Sequence, residues 1–108
     1  MSSSSVAGRA ALRQEVDARL GACTLAVAEQ LLAAVSLLAG DKTLRTALAD
    51  AGQSDESRAA LATDLFSGKV DGVTVQLLAA AARLRWSKSS DLVEALEELG
   101  ATVAFTAA

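Results

Sequence analysis

The sequence has no proline, no tyrosine and no histidine, and only 3% of it is aromatic: one tryptophan and two phenylalanines. A core must therefore be made from leucine, alanine and valine, which is helical material, and no stretch alternates apolar and polar residues as a half-buried strand does. The lack of histidine removes the commonest general base and metal ligand, and with it the support for a catalytic triad or a zinc site. Cys23 stands alone, so no disulfide can form within the chain. A reducing cytoplasmic setting is expected, with Cys23 a small core residue and not a nucleophile. Bases are the minority, 10 against 13 acids for a net charge of −3, which argues against nucleic acid as the main partner. The opening MSSSSVAG lacks the basic and apolar regions of a signal peptide. Residues 1–5 read as a disordered leader and 6–108 as one domain, a size that needs no metal or disulfide staple.

One long apolar run, ACTLAVAEQLLAAVSLLA over 22–39, approaches the length of a bilayer span. Glu29 and Gln30 fall at its centre, where an acid costs about 3 kcal/mol on insertion, so the run is expected to be a central helix touched by neighbours on several sides. Leu25, Ala28, Leu32, Val35 and Ala39 give its main stripe, broadened by Val27, Leu31 and Leu38, and Leu32 is expected in the core.

The most explicit stretch is 61–99, LATDLFSGKVDGVTVQLLAAAARLRWSKSSDLVEALEEL. Gly68 suits a helix C-terminus, Asp71 offers a side-chain acceptor as the next N-cap, and Val70 and Val75 have the spacing of a hydrophobic staple across that cap. The helix that follows, extending to Trp86, carries Val73, Leu77, Ala80, Ala81 and Leu84 on one side. Its four consecutive alanines, 79–82, present little bulk. They suit close packing against a neighbouring helix, or a shallow groove that receives a helix from another protein. Arg83, Arg85 and Lys88 around Trp86 make the one basic-aromatic spot, which could stack on a base but at a helix C-terminus more often complements the dipole.

The remaining helices follow from the same signals. The spacing of Leu12, Val16 and Leu20 predicts a first amphipathic helix over 6–20. Asp41 caps a short helix with Leu44, Ala47 and Leu48, Ser54 caps one with Leu61, Leu65 and Phe66, and Leu92, Leu96, Leu99 and Val103 trace the face of the last. Asp91, Glu94, Glu97 and Glu98 lie off that face as solvated surface, and SGKVDG lacks the spacing of a phosphate loop. The expectation is an all-α protein: a compact six-helix bundle of mostly antiparallel helices, monomeric when isolated, with no cofactor, no metal and no catalysis.

Taken in order, LAGDKTLRTALAD, LFSGKVDGVTVQLL and RWSKSSDLVEALEELG resemble the delta subunit family of bacterial F-type ATP synthases, in its actinobacterial form, called OSCP in mitochondria. Relatives show LRxxLxD, then L(F/L)xGKV, then RWSxxxDLVxALE in this succession. The resemblance implies a non-catalytic stator component of the proton-translocating enzyme, peripheral at the cytoplasmic face of the membrane. Its amino-terminal six-helix domain is expected to grip the amino-terminal helix of an alpha subunit between helices one and five and to hold the head against rotor torque. By position, that groove is lined by Leu12, Val16 and Leu20 of helix one and by Val73, Leu77, Ala80, Ala81 and Leu84 of helix five. Helix one departs from the RYAxAL-like pattern of many relatives. The chain is expected to be the amino-terminal domain alone, without the carboxy-terminal domain that joins the stalk b subunit and without a b-like membrane anchor. Two readings of other classes are an all-helical adaptor of a different kind, which would show complementary charged patches, and a helix-turn-helix nucleic-acid binder, which would need a basic recognition helix.

Overall fold

A computed structural model describes residues 3–107, with the side chains of residues 3–5 and 20 outside the described set. Six α-helices follow in order: α1 (Ser3–Ala18), α2 (Leu25–Gly40), α3 (Lys42–Leu48), α4 (Asp55–Phe66), α5 (Gly72–Arg83) and α6 (Ser89–Ala107), with a 3₁₀ turn at Leu20–Ala22. No strand occurs among the described residues, and no described helix is long and apolar enough to cross a membrane.

The helix starts are set by short polar side chains. Thr24 Oγ1 accepts from the Val27 amide at 3.3 Å, Asp41 Oδ1 from Leu44 at 3.0 Å and Ser54 Oγ from Ser57 at 3.1 Å, each satisfying a donor that the first turn leaves free. Asp41 serves two helices, because its own amide also donates to the Leu38 carbonyl at the end of α2. Arg45 completes that end by donating to the Leu38 and Ala39 carbonyls at 3.1 and 2.9 Å. Gly68 turns the chain out of α4 at φ 77°, a conformation that costs a residue with a Cβ about 1–2 kcal/mol.

Three local expectations are corrected. The first helix begins at Ser3, so three of the five expected leader residues belong to it; serine is well suited to a helix start. Asp71 occupies the N-cap of α5 but makes no side-chain cap bond. Its amide instead donates to Gln30 Oε1 of α2 at 3.0 Å, and Thr74 Oγ1 donates to the same oxygen at 2.6 Å, so a side chain of α2 anchors the start of α5 through the Asp71 backbone and the Thr74 hydroxyl. Finally, α5 stops at Arg83, with Leu84 extended, and Trp86 lies beyond it.

α2 packs principally on α6, and α4 on α5, while α1 bridges α5 and α6. α1 runs antiparallel to α5: Arg19 meets Gln76 at one end and Gly8 meets Trp86 at the other. α4 and α5 form an antiparallel hairpin in which Arg58 reaches the far end of α5. α1 and α6 run in the same sense, Arg9 pairing with Glu94 and Glu98. The face of α6 is as expected, with Leu92, Leu96, Leu99 and Val103 all buried.

The phase of α2 is not. Val27, Ala28, Leu31, Ala34, Val35 and Leu38 point inward, while Leu25 and Leu32 are 52% and 39% exposed and Ala39 is exposed. Leu32 is therefore not core. Gly100 explains how α6 approaches so closely: a Cβ there would stand 2.9 Å from the Leu32 Cδ2 and 3.5 Å from the Leu31 Cβ, so the Leu32 tip overhangs the seam from its wet side.

Candidate partner-binding groove

A cleft of about 310 Å³ opens between α1 and α5, lined by Ala11, Glu15 and Arg19 on one side and Gln76, Ala79, Ala80, Arg83 and Leu84 on the other. The alanine run supplies both its floor and the packing beneath it. Ala81 and Ala82 are buried, whereas Ala79 and Ala80 are half-buried, because consecutive residues step about 100° around a helix of 3.6 residues per turn. Polar side chains cross the cleft at one end. Arg19 Nε donates to Gln76 Oε1 at 2.9 Å, while its Nη1 donates to the Glu15 carbonyl at 3.1 Å and pairs with the Glu15 carboxylate one turn back.

A second cleft of about 310 Å³ lies on the other side of α1, against α6, lined by Arg9, Ala10, Leu12, Arg13, Val16, Ala95, Glu98, Leu99 and Thr102. The expected groove residues are thus divided. Ala80 and Leu84 line the α1–α5 cleft; Leu12 and Val16, both almost fully buried, line the α1–α6 cleft; Leu77 and Ala81 are core. Val73 is half-buried one turn beyond Gln76, and the Leu20 side chain lies outside the described residues. Sequence reasoning missed Ala11, Glu15, Arg19 and Gln76. The four-residue spacing of Glu15 and Arg19 signalled a pair on one face, but Gln76 gave no sign that it would meet them.

The polar side chains elsewhere offer little reactive chemistry. Burial pushes the Cys23 thiol up from its ordinary value, against a smaller lowering by the Arg19 charge, so it is a thiol and not a thiolate at neutral pH. Glu94 and Glu98 are exposed partners of Arg9. No group of three potential metal-ligating side chains occurs among the described residues. Trp86 is buried, its indole Nε1 donating to the Ala81 carbonyl at 2.8 Å, so the basic residues around it frame no stacking platform and the nucleic-acid reading loses its anchor.

No protein-family model matches the chain. Individual proteins do. One named ATP synthase subunit delta, from Streptomyces griseus, is 40% identical over 111 residues, covering 100% of the chain and 41% of the relative. The Streptomyces coelicolor protein of the same name is 40% identical over 102 residues, 92% of the chain and 37% of the relative. That of Renibacterium salmoninarum is 33% identical over 100 residues, 93% of the chain and 37% of the relative. The chain belongs to the ATP synthase delta subunit family. It spans about two fifths of the length of these relatives.

The stretches that carried the likeness to the delta family are those at which this bundle is turned and locked. LRTALAD holds Arg45, which closes α2, and Asp50, whose Oδ1 accepts from the Gly52 amide at 2.8 Å. LFSGKV is the turn at Gly68, and RWSKSSDLV contains the buried indole and the first turn of α6. A feature of this chain not anticipated from these stretches is Arg58, 2% exposed in α4. Its Nε donates to the Ala82 carbonyl at 2.8 Å, Nη1 to the Asp50 and Gln53 carbonyls at 3.2 and 2.7 Å, and Nη2 to the Arg83 and Leu84 carbonyls at 3.1 and 3.3 Å and to Asp55 Oδ1 at 2.7 Å. Every donor of the guanidinium is engaged, and α5 ends where its carbonyls turn to this side chain.

Proposed function

We propose that this chain acts as the six-helix domain of a non-catalytic stator subunit of an F-type ATP synthase, receiving the amino-terminal helix of an alpha subunit in the α1–α5 cleft. In that role it would sit at the cytoplasmic face of the membrane as part of the assembled enzyme and help hold the catalytic head against rotor torque. Attachment to the stalk b subunit belongs, in this reading, to the part of the relatives' length that the chain does not span. The observation that supports it most directly is the half-exposed alanine floor, Ala79 and Ala80 beside Ala11, in a member of the delta family. A floor of small side chains accepts large ones: an amphipathic helix bringing apolar residues at i, i+3, i+4 and i+7 could bury each for about 1.5–3 kcal/mol before the costs of association.

Ala80→Glu tests this, since Ala80 faces the cleft while Ala81 is 0% exposed. A charge at Ala80 meets the incoming apolar face with no counter-ion, so peptide binding should weaken at least tenfold, about 1.4 kcal/mol, with the thermal midpoint nearly unchanged. Titration calorimetry with the amino-terminal peptide of the cognate alpha subunit, beside thermal melts, reads both quantities. Undiminished binding by Ala80→Glu would move the partner elsewhere. Ala81→Glu should instead unfold the domain.

A further inference from the structure

We infer that the docking seat in the α1–α5 cleft ends at the Arg19–Gln76 bridge, so that the free domain offers its partner about two turns of helix and not the whole length of α5. The inference rests on the reading of this cleft as a partner site and gives that site a boundary. The bridge ties Arg19, one residue past the end of α1, to the first half of α5, and Arg19 is held in place by three acceptors, Gln76 Oε1, the Glu15 carbonyl and the Glu15 carboxylate. Ala11, Ala79, Ala80 and Leu84 all line the cleft on one side of it; Val73 lies on the other and lines no part of it. From Gln76 to Arg83 the helix advances about 10 Å.

A longer partner helix would have to climb over the planar guanidinium, losing contact with Val73, or break the bridge and desolvate Arg19 with nothing to replace Gln76. The segment that fits the window is therefore a short amphipathic one. It needs large aliphatic side chains one turn apart, to stand on Ala80 and against Leu84, and gains nothing from apolar residues carried further along.

A nested series of helix-stapled peptides from the amino terminus of the cognate alpha subunit, about 8 to about 20 residues long, tests the boundary, the staple removing the nucleation cost that would otherwise penalise short members. Titrated into the unaltered protein, affinity should change less than twofold between the shortest member, which already covers about two turns, and the longest. Gln76→Ala removes the acceptor with a good helix former, and there the longer peptides should bind at least fivefold more tightly than the two-turn one. A gain of twofold or more with length in the unaltered protein, or a gain of less than fivefold in Gln76→Ala, overturns the boundary while leaving the docking site in place. Failure of every peptide to bind the unaltered protein overturns the proposed function itself, and the boundary with it.

Discussion

The two long neighbours of α5 hold it in opposite ways. On the α4 side, Arg58 is sealed from water and its guanidinium binds five carbonyls and a carboxylate, so the hairpin is fixed by a charge that has no alternative partner. On the α1 side, the polar tie to α5 is the Arg19–Gln76 bridge, and α1 is held in turn to α6 by Arg9 with Glu94 and Glu98, all in reach of solvent. Breaking the first leaves a desolvated cation and orphaned carbonyls; breaking the second merely exchanges protein partners for water. A seam of the first kind is scaffold, and one of the second kind can admit a guest without unfolding the host.

The contrast can be broken most directly at Arg58. Arg58→Ala should destabilise by about 3–5 kcal/mol in denaturant titration, because the carbonyls of Ala82, Arg83 and Leu84 lose their shared donor at once. Arg58→Lys should recover little of this, as one ammonium cannot span acceptors spread along two chain segments. Next in size, Leu31→Ala should cost about 2–5 kcal/mol, whereas Leu32→Ala, one residue on but 39% exposed, should cost less, about 1–2 kcal/mol; equal losses would mean that α2 is turned differently on α6. The smallest effect belongs to the α1 seam: Arg9→Ala should shift stability by about 0–1 kcal/mol, and less at high salt. A loss at Arg9 comparable to that at Arg58 would erase the distinction between the two sides.

What was legible in the sequence follows from the same physics. Caps at Asp41 and Ser54, the positive-φ glycine and the Leu92–Val103 face are local or strictly periodic, and the helix count and class rest on them. The α2 phase was not legible because a helix apolar nearly all round has no preferred side until a neighbour chooses one, and the choice lies with Gly100 far along the chain. Arg58 was illegible because a cation three residues after Asp55 looks like an exposed pair. The early end of α5 went unseen for the same cause: no glycine or proline marks it, since it is made by Arg58 drawing off carbonyls from another helix. Of the residues expected in the groove on α5, Ala80 and Leu84 line the cleft while Leu77 and Ala81 lie beneath it, for one stripe on a helix is wide enough to span both surface and core.

One contact gives the domain an optical gauge of its own. Gly8 of α1 lies against the Trp86 ring so closely that a Cβ there would stand 3.1 Å from the indole Cη2, and Trp86 is the only tryptophan in the chain. Its emission is therefore governed by whether α1 is seated: lifting that helix hydrates the indole and moves the spectrum to the red, while a guest that enters the cleft and leaves α1 in place keeps it blue. Intrinsic fluorescence alone thus separates accommodation of a partner from partial opening of the bundle, without any label.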